Sequence, residues 1–309
     1  MRIVALAGGI GGARFLRGVR AAAPDAELTV VVNTGDDLTL YGLRVCPDLD
    51  TVMYTLGGGI DEDRGWGRQD ETFHAKAELE AYGVPTAWFG LGDRDLATHL
   101  VRAQMTAAGY PLSAVTAALC DRWQPGARLL PMTDDRFETH VLVELDGARK
   151  VIHFQEWWVR HRAAPPALAF AYVGADTAQP APGVLDAIEA ADVVLLPPSN
   201  PVVSIGTVLQ VPGVKAALTG KRVVGVSPIV GGAPVRGMAD ACLTAIGVET
   251  SAEAVGRHYG SPLLDGWLVD VSDAGATVPG VDVRAVPLLM SSPDATRALA
   301  QAALDLAAA

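Results

Sequence analysis

A short apolar stretch near the N-terminus ends in a cluster of glycines, and a helical pattern begins directly after it. Residues 3–7 are apolar, four of the five positions from Gly8 to Gly12 are glycine, and the helical pattern covers 14–23. A buried strand that turns through glycines into a helix leaves backbone N–H groups free at the positive end of the helix dipole, where phosphate binds. The stretch therefore predicts a strand–turn–helix unit and a phosphorylated ligand. The alternative is that the glycines only allow the strand and the helix to pack closely.

The glycine turn matches neither of the two standard nucleotide-binding patterns. In the dinucleotide pattern G-x-G-x-x-G, counted from Gly9, the third glycine would fall on Arg14. The phosphate-loop pattern requires Lys-Ser or Lys-Thr, and neither pair follows the glycines. Asn33 ends the second apolar run, where a nicotinamide-binding fold has an acidic residue. These departures disfavour a nicotinamide-dependent dehydrogenase.

Four more apolar runs have the length of a strand and lack the alternation of a half-exposed one. They cover residues 28–32, 193–196, 223–226 and 267–271. Further helical patterns occupy residues 96–108 and 293–307. Alternating strands and helices predict an α/β fold with a Rossmann-like parallel sheet that carries helices on both faces.

The middle of the chain departs from this alternation. Two predicted strands flank Asp146 and Gly147, a pair typical of an antiparallel hairpin turn. We predict a single domain whose Rossmann-like core comprises residues 1–60 and 176–309. Residues 61–175 are predicted to form a smaller inserted α+β region, with helices and the hairpin, that caps the sheet.

Composition and charge narrow the function classes. The formal net charge of −11 disfavours binding to nucleic acid or to anionic membrane surfaces, since like charges repel. The three cysteines are far apart and form no C-x-x-C pair, which favours a reducing compartment and disfavours structural zinc. Without a charged leader or an apolar run of ~18 residues, the sequence predicts a cytoplasmic protein with no membrane span. Since acidic α/β enzymes of this size are often dimers, we expect a homodimer.

Four acidic residues fall close together after the second apolar run. Asp36 and Asp37 follow the predicted strand, and Asp48 and Asp50 come shortly afterwards. Ligands bind at the carboxyl ends of strands in an open parallel sheet, so this cluster is expected beside the glycine turn. Carboxylates in this density suit Mg²⁺, which shares its shell with water and substrate phosphate. The alternative is that Asp48 or Asp50 caps a helix at residues 52–56.

Polar or glycine-rich loops also follow two later predicted strands. Residues 197–201 follow one strand, and residues 227–232 follow the next. Because the carboxyl ends of parallel strands meet at one edge of the sheet, four such loops are expected to surround one site.

The pattern at residues 96–108 has a candidate helix start. Asp95 is predicted to cap this helix, and an arginine beside it, Arg94, could meet a phosphate. His99 lies one turn further, where a buried hydrogen-bonded histidine is more common than a catalytic one.

Aromatic residues are concentrated in the predicted inserted region. Phe154, Trp157 and Trp158 follow the hairpin, and Trp66 and Trp88 precede it. These rings either stack a ring system of the ligand or close the core of the inserted region. The G-x-S-x-G and H-E-x-x-H patterns are absent, which disfavours serine-hydrolase and zinc chemistry.

Six motifs occur in an order typical of one enzyme family. They are GGIGGAR at residues 8–14, NTGDD at 33–37, PDLDT at 47–51, GDRD at 92–95, PSNP at 198–201 and SPI at 227–229. Together they resemble the 2-phospho-L-lactate transferase family of coenzyme F-420 biosynthesis, over essentially the whole chain. The segments at residues 47–67 and 153–158 resemble the actinobacterial, phosphoenolpyruvate-using branch of that family.

The resemblance implies a transfer reaction on a Rossmann-like fold. The acceptor is the deazaflavin Fo, and the donor is guanosine diphosphate carrying enolpyruvate, or lactate in the archaeal branch. The ribityl hydroxyl of Fo attacks the phosphorus that bears the three-carbon acid, and GMP leaves. The reaction requires Mg²⁺.

The motifs and the resemblance assign roles to individual residues. Asp37 and Asp50 are predicted to bind Mg²⁺, with Asp36, Asp48 or Asp63 as alternatives to Asp37. Asp50 is also the predicted catalytic residue, which orients the ribityl hydroxyl or accepts its proton. The residues predicted to contact the phosphates and the nucleotide are Gly9, Gly11, Gly12, Arg14, Ser199, Asn200, Ser204 and Ser227. Those predicted to contact the deazaflavin are Asn33, Thr34, Asp50, Thr51, Gly92 and Asp93.

A second function class stays open at this point. A related family of regulatory proteins shares the glycine turn and the fold, but binds sugar nucleotides without turnover. The acidic cluster at residues 47–51 and the aromatic residues of the predicted insert favour the enzyme.

Overall fold

Strands and helices alternate along most of the chain in the computed structural model, which describes residues 1–85 and 88–309. The strands are β1 (Arg2–Ala7), β2 (Glu27–Val32), β3 (Leu38–Leu40), β4 (Leu43–Val45), β5 (Arg128–Pro131), β6 (Glu138–Leu145), β7 (Ala148–His153), β8 (Ala167–Val173), β9 (Val193–Leu196), β10 (Val223–Val226), β11 (Ile229–Val230), β12 (Ala233–Pro234), β13 (Gly266–Val269) and β14 (Asp282–Ala285). The α-helices are α1 (Gly9–Ala22), α2 (Pro47–Leu56), α3 (His74–Ala81), α4 (Asp93–Ala107), α5 (Leu112–Trp123), α6 (Val184–Ala190), α7 (Ile205–Gln210), α8 (Val214–Ala217), α9 (Ala239–Ala245), α10 (Ala252–Tyr259) and α11 (Pro293–Ala308). A π-helix spans Glu156–Arg160 and a 3₁₀-helix spans Val271–Asp273. Among the described residues, no helix has both the length and the apolar character required to cross a membrane.

Seven parallel strands form the central sheet, in the order β14-β13-β10-β9-β1-β2-β5. The inner strands β9 and β10 consist entirely of buried residues, as expected for a parallel sheet covered on both faces. The chain order reverses at β1, which lies between β2 and β9. At such a reversal the loops at the carboxyl ends of the strands diverge and leave a crevice for a ligand.

Alternate side chains of β1 pack into two hydrophobic cores on opposite faces of the sheet. Ile3 belongs to the core that also contains Phe15 of α1 and Leu299 of α11. Leu6 belongs to the core on the other face, with Val208 of α7. Helices thus cover both faces, which confirms the predicted Rossmann-like α/β architecture.

The predicted hairpin is confirmed between β6 and β7. Asp146 and Gly147 connect the two strands with φ angles of 55° and 73°. These left-handed values at both central residues are those of a two-residue type I′ turn. β8 pairs with the other side of β6, so a three-stranded antiparallel sheet covers this part of the molecule.

One strand of the central sheet lies inside the range predicted as inserted. β5 pairs with β2 in parallel, with Leu130 opposite Val31. Residues 128–131 therefore belong to the sheet, and the inserted material forms two segments on either side of α5 and β5. The predicted boundaries at 61 and 175 need this correction, because a four-residue strand that ends in proline gives little sequence signal.

Two helices begin earlier than predicted. α1 begins at Gly9 rather than at residue 14, so the glycine cluster supplies its first turn. α4 begins at Asp93 with Gly92 as its N-cap, so Asp95 lies within the helix and is not its cap. In both cases a distant carboxylate accepts hydrogen bonds from free amides of the first turn, because Asp48 bonds to Gly9 N and Glu71 bonds to the amides of Arg94 and Asp95.

Candidate functional site

The carboxyl ends of four central strands surround a cavity of about 650 Å³. Its walls include the glycine turn after β1, Asp36 after β2, Ser199 after β9 and Ser227 after β10. The cavity therefore occupies the crevice that the chain reversal at β1 leaves open. Residues of the inserted segments, among them Trp66 and Gln155, complete the walls. Its volume falls within the ~300–1,000 Å³ typical of small-molecule sites.

The glycine turn packs closely against the loop that follows β9. Ser199 Oγ accepts from Gly8 N at 3.3 Å and donates to the carbonyl oxygen of Gly8 at 2.8 Å. A Cβ at Gly11 would lie 2.7 Å from the carbonyl oxygen of Pro198, and one at Gly12 would lie 2.5 Å from Ser199 Oγ. The packing explanation of the glycines is therefore correct, and it does not exclude ligand binding, because the turn also lines the cavity.

We expect Gly11→Ala to lower the free energy of unfolding by ~1–3 kcal/mol, because the added methyl group overpacks a backbone contact. The clashing atom is the carbonyl oxygen of Pro198, which is backbone and cannot rotate away. Urea denaturation measures the change. Gly275→Ala is the matched control, since a Cβ there meets no atom within 4 Å. Equal stability of the two variants would contradict the prediction.

Asp36 and Asp48 are buried carboxylates that share one amide side chain in the wall of the cavity. Asn33 Nδ2 donates to Asp36 Oδ1 at 3.2 Å and to Asp48 Oδ2 at 2.9 Å. Asp48 Oδ1 also accepts from Gly9 N, the first amide of α1, at 2.8 Å. Gln155 Nε2 donates to Asp36 Oδ2 at 3.2 Å. Among the described residues, no lysine, arginine or histidine lies within 4.0 Å of either carboxylate.

With no cation nearby among the described residues, both carboxyl groups have raised pKa values. Burial raises the pKa of Asp36 well above its usual range, and the charge of Asp48 raises it further. Burial raises the pKa of Asp48 to about 6, although the hydrogen bonds from Asn33 and Gly9 oppose the shift. Two buried carboxylates without a counter-charge form a site that a divalent cation would stabilise.

We expect Mg²⁺ affinity to rise with pH through the pKa of about 6 of Asp48. A metal ion competes with the proton on its ligand, so the affinity should fall by at least about tenfold for each pH unit below that value, and more steeply where Asp36 is also protonated. Because the folded-state pKa is raised from 3.8 to about 6, the metal-free protein should also lose stability as pH rises across this interval. Calorimetric titration of Mg²⁺ at pH 5, 6 and 7.5 tests the first effect, and an affinity that does not change with pH would contradict it.

Asp37 and Asp50, the predicted metal ligands, do not line this cavity. Asp37 Oδ2 accepts from Arg44 Nε at 3.0 Å and from Cys46 Sγ at 3.0 Å. Asp50 Oδ1 forms an ion pair with Arg102, which is itself buried. Burial raises the pKa of each carboxyl, and the paired arginine opposes the shift. Asp36 and Asp48 are the acidic side chains that line the cavity, whereas Asp37 and Asp50 each lie beside an arginine, and their role as metal ligands stays a prediction.

Asp50 belongs to a buried polar cluster behind the cavity. Its ligand atom and those of Asp95 and His99 lie within 4.8 Å of one another, close enough to hold a metal ion. Tyr54 Oη donates to Asp95 Oδ1 at 2.6 Å, and Arg102 Nη1 lies 3.0 Å from His99 Nδ1. Asp50 therefore has a cationic partner in this cluster, whereas Asp36 and Asp48 have hydrogen-bond donors and, among the described residues, no cation within 4.0 Å. Asp48 and Asp50 both lie within α2 and make no cap to their own helix.

The residues predicted to contact phosphate or nucleotide converge on the cavity, with one exception. Arg14 lines it and also pairs with Glu62 at 3.4 Å. Gly12 lies behind the turn against Ser199. The other lining residues from this set are Gly9, Gly11, Ser199, Asn200, Ser204 and Ser227.

The residues predicted to contact the deazaflavin are dispersed. Asn33 and Thr34 are fully buried and are not among the residues that line the cavity. Asp93 binds the amides of His74 and Ala75 at the start of α3, and Gly92 beside it is outside the cavity wall. Thr51 is the member of this set that lines the cavity. Asp63, named above as an alternative metal ligand, is exposed and also lies outside the wall.

The aromatic residues of the inserted region divide between the hydrophobic core and the cavity wall. Trp157 is fully buried, with Phe170 at 6.3 Å between ring centroids, and its Nε1 donates to the carbonyl of Pro165. Trp158 and Trp66 line the cavity, and Trp66 is 44% exposed. Trp157 and Trp158 lie on a π-helix, a rare conformation that is frequent at functional sites.

Three site residues were absent from the sequence predictions. Gln155 contacts Asp36 from the inserted region, and Arg64 and Arg236 also line the cavity. Gln155 lies inside the segment at 153–158 that carries the family resemblance, which is the signal that could have identified it. Arg236 follows the short hairpin of β11 and β12, and no sequence pattern marks it.

Known proteins that are similar to this chain in sequence share one description. The family model described as 2-phospho-L-lactate transferase CofD matches residues 3–280. A phosphoenolpyruvate transferase of Thermobifida fusca (strain YX) is 68% identical, covering 99% of this chain and 98% of the relative. A protein of the same name from Streptomyces coelicolor is 69% identical, with 99% and 98% covered. One from Nocardia farcinica is 63% identical, with 99% and 95% covered.

Solved structures share the fold at much lower identity. A crystal structure of a upf0052 family member from Bacillus halodurans has a TM-score of 0.64 and 18% identity. It covers 98% of this chain, and 99% of its own length is covered. This similarity shows that the two proteins share their overall fold.

Proposed function

The chain belongs to the 2-phospho-L-lactate transferase CofD family, and from that premise we propose that it transfers a phosphoenolpyruvyl group to the deazaflavin Fo. It is a transferase of coenzyme F-420 biosynthesis. The proposed donor is guanosine diphosphate linked to enolpyruvate, and the proposed leaving group is GMP. The observation that carries the proposal is the pair Asp36 and Asp48, which faces the glycine turn without a counter-charge.

We propose Asp36 and Asp48 as the residues that hold Mg²⁺. Mg²⁺ prefers oxygen ligands and is bound through one or two carboxylates together with water and substrate phosphate. The pair meets this requirement, whereas the cluster of Asp50, Asp95 and His99 includes an imidazole and is already paired with Arg102. When bound, the ion supplies positive charge that stabilises the diphosphate as GMP departs.

The protein's own groups position the reactants. The Gly9 amide is bonded to Asp48, and the backbone N–H groups of residues 10–12 at the start of α1 are the ones proposed to hold the diphosphate. The Ser204 hydroxyl is proposed to contact the nucleotide, while Ser199 and Ser227 line the same wall with hydroxyls that bond to the backbone of Gly8 and Ile229. In the reaction, a bond forms between the ribityl oxygen and the phosphorus that bears the acid, the phosphorus–oxygen bond to GMP breaks, and the hydroxyl proton passes to the departing phosphate or to solvent. Positioning and charge neutralisation provide most of the rate in such displacements.

Trp158 and Trp66 are the proposed contacts for the deazaflavin ring. Both line the cavity, and neither is fully buried. Flat aromatic faces stack on heteroaromatic rings at low entropic cost. The catalytic role of Asp50 stays a prediction from the sequence, and its ion pair with Arg102 and its position outside the cavity wall count against it.

Mass spectrometry of a reconstituted reaction tests the proposed function. The protein is incubated with Fo, Mg²⁺, GTP, a guanylyltransferase and either phosphoenolpyruvate or 2-phospholactate. We expect the enolpyruvyl product of Fo and stoichiometric GMP from the phosphoenolpyruvate reaction. Absence of GMP and of any modified Fo, together with tight binding of a sugar nucleotide, would instead support the regulatory class.

A further inference from the structure

Three arginines line the cavity, and they differ in how their charge is compensated. Arg14 lies 3.4 Å from Glu62, and Arg64 lies 2.9 Å from Asp61. Arg236 has no carboxylate within 4.0 Å among the residues that the structure describes. Arg236 is therefore an exposed cation of the cavity wall without an acidic partner, in a chain with a net charge of −11.

The neighbouring loop fixes the direction of the Arg236 guanidinium. Its Nη2 donates to the carbonyl oxygen of Arg64, in the loop between α2 and α3. The next residue, Gly65, has a φ of 71°, and a Cβ there would lie 2.6 Å from Nη1 of Arg236. The guanidinium thus rests against a position that has no side chain. This contact uses one of its five N–H donors and leaves others for a ligand.

The proposed donor carries one anionic group that the site described so far leaves without a partner. In the proposed binding mode, its diphosphate is held by the amides of the glycine turn and by the cation expected between Asp36 and Asp48. The carboxylate of the three-carbon acid requires a separate positive group, because a buried or half-buried carboxylate is costly without one. A planar guanidinium matches a carboxylate with two parallel hydrogen bonds.

We propose that Arg236 binds the carboxylate of the three-carbon acid and so determines specificity for an acid-bearing donor. The inference rests on the proposed function. Arg14 and Arg64 fit this task less well, since each already lies beside an acidic side chain. Arg64 contributes through its backbone carbonyl, which holds Arg236 in place.

Calorimetric titration with two nucleotides tests the assignment, because GDP has the phosphates of the donor and lacks the carboxylate. For Arg236→Gln, we expect affinity for the GDP–enolpyruvate donor to fall by ~10–100-fold, the range for a lost charged hydrogen bond. Affinity for GDP should stay within ~2-fold. Arg236→Lys should give an intermediate loss, since it keeps the charge without the paired geometry. In turnover, KM for the donor should rise while kcat changes little.

Arg297→Gln is the matched control, because Arg297 is an exposed arginine of α11 outside the cavity. Equal losses for GDP and for the donor in Arg236→Gln would overturn the inference, since the arginine would then contact the diphosphate. Unchanged affinity for both would overturn it as well. If the wild-type chain binds GDP and fails to bind or use the donor, the proposed function itself fails, and the inference fails with it.

Discussion

Replacing Asp48 with asparagine is expected to lower kcat by ~10²–10³-fold and to abolish measurable Mg²⁺ binding. Asp48 contacts Gly9 N at 2.8 Å and shares Asn33 with Asp36, so its side chain joins the glycine turn to the acidic pair. Asparagine keeps the size of the side chain and can still accept from Gly9. It removes the charge that a cation requires.

The same variant should keep or gain stability in the absence of metal. Burial raises the pKa of Asp48 to about 6, so its ionised form is destabilising in the folded protein at higher pH. Thermal unfolding at pH 8 without Mg²⁺ therefore separates loss of the site from loss of the fold. Asp63→Asn is the control, because Asp63 is exposed and lies outside the cavity wall. Near-normal kcat and metal binding in Asp48→Asn would refute its role as a ligand.

Replacing Arg102 with leucine is expected to lower the free energy of unfolding by about 3–5 kcal/mol, the usual effect of breaking a buried ion pair. Arg102 is 1% exposed, and its guanidinium contacts Asp50, His99 and the carbonyl oxygen of Arg44. Leucine leaves the carboxylate of Asp50 buried without its partner. Urea denaturation at pH 7.5 measures the loss.

A double variant tests the reason for that loss. Arg102→Leu combined with Asp50→Asn leaves no unpaired charge at this position, so it should recover part of the lost stability. A double variant as unstable as the sum of the two single ones would show that the residues do not act as a pair. A loss below ~1 kcal/mol in Arg102→Leu would also contradict the account, since the pair would then behave like a surface ion pair.

The fold could be predicted from the sequence because its main signals are local. The buried runs that form β1, β9 and β10 are continuous and apolar, and Asp146 with Gly147 specifies its turn within two residues. β5 was missed for the opposite reason. Its four residues end in proline and give little local signal, and only the pairing with β2, which is far away in the sequence, identifies them as a strand of the sheet.

The sequence also indicates the correct loops for the site, while the choice of carboxylates depends on long-range partners. Asp48 and Asp50 lie two residues apart on α2, where successive residues turn by ~100°, so their side chains leave the helix on nearly opposite sides. Asp50 meets Arg102 from α4, at a sequence separation of 52 residues. Asp37 meets Arg44. Since arginine pairing decides which carboxylates remain uncompensated, motif spacing alone could not separate Asp36 and Asp48 from their neighbours.

Anomalous diffraction from crystals grown with Mn²⁺ and GDP tests the central claim most directly, because it locates the cation independently of activity. The account predicts one strong peak between Asp36 and Asp48, ~2.1 Å from a carboxylate oxygen of each residue and next to the diphosphate. A peak among Asp50, Asp95 and His99, with none beside the glycine turn, would contradict it.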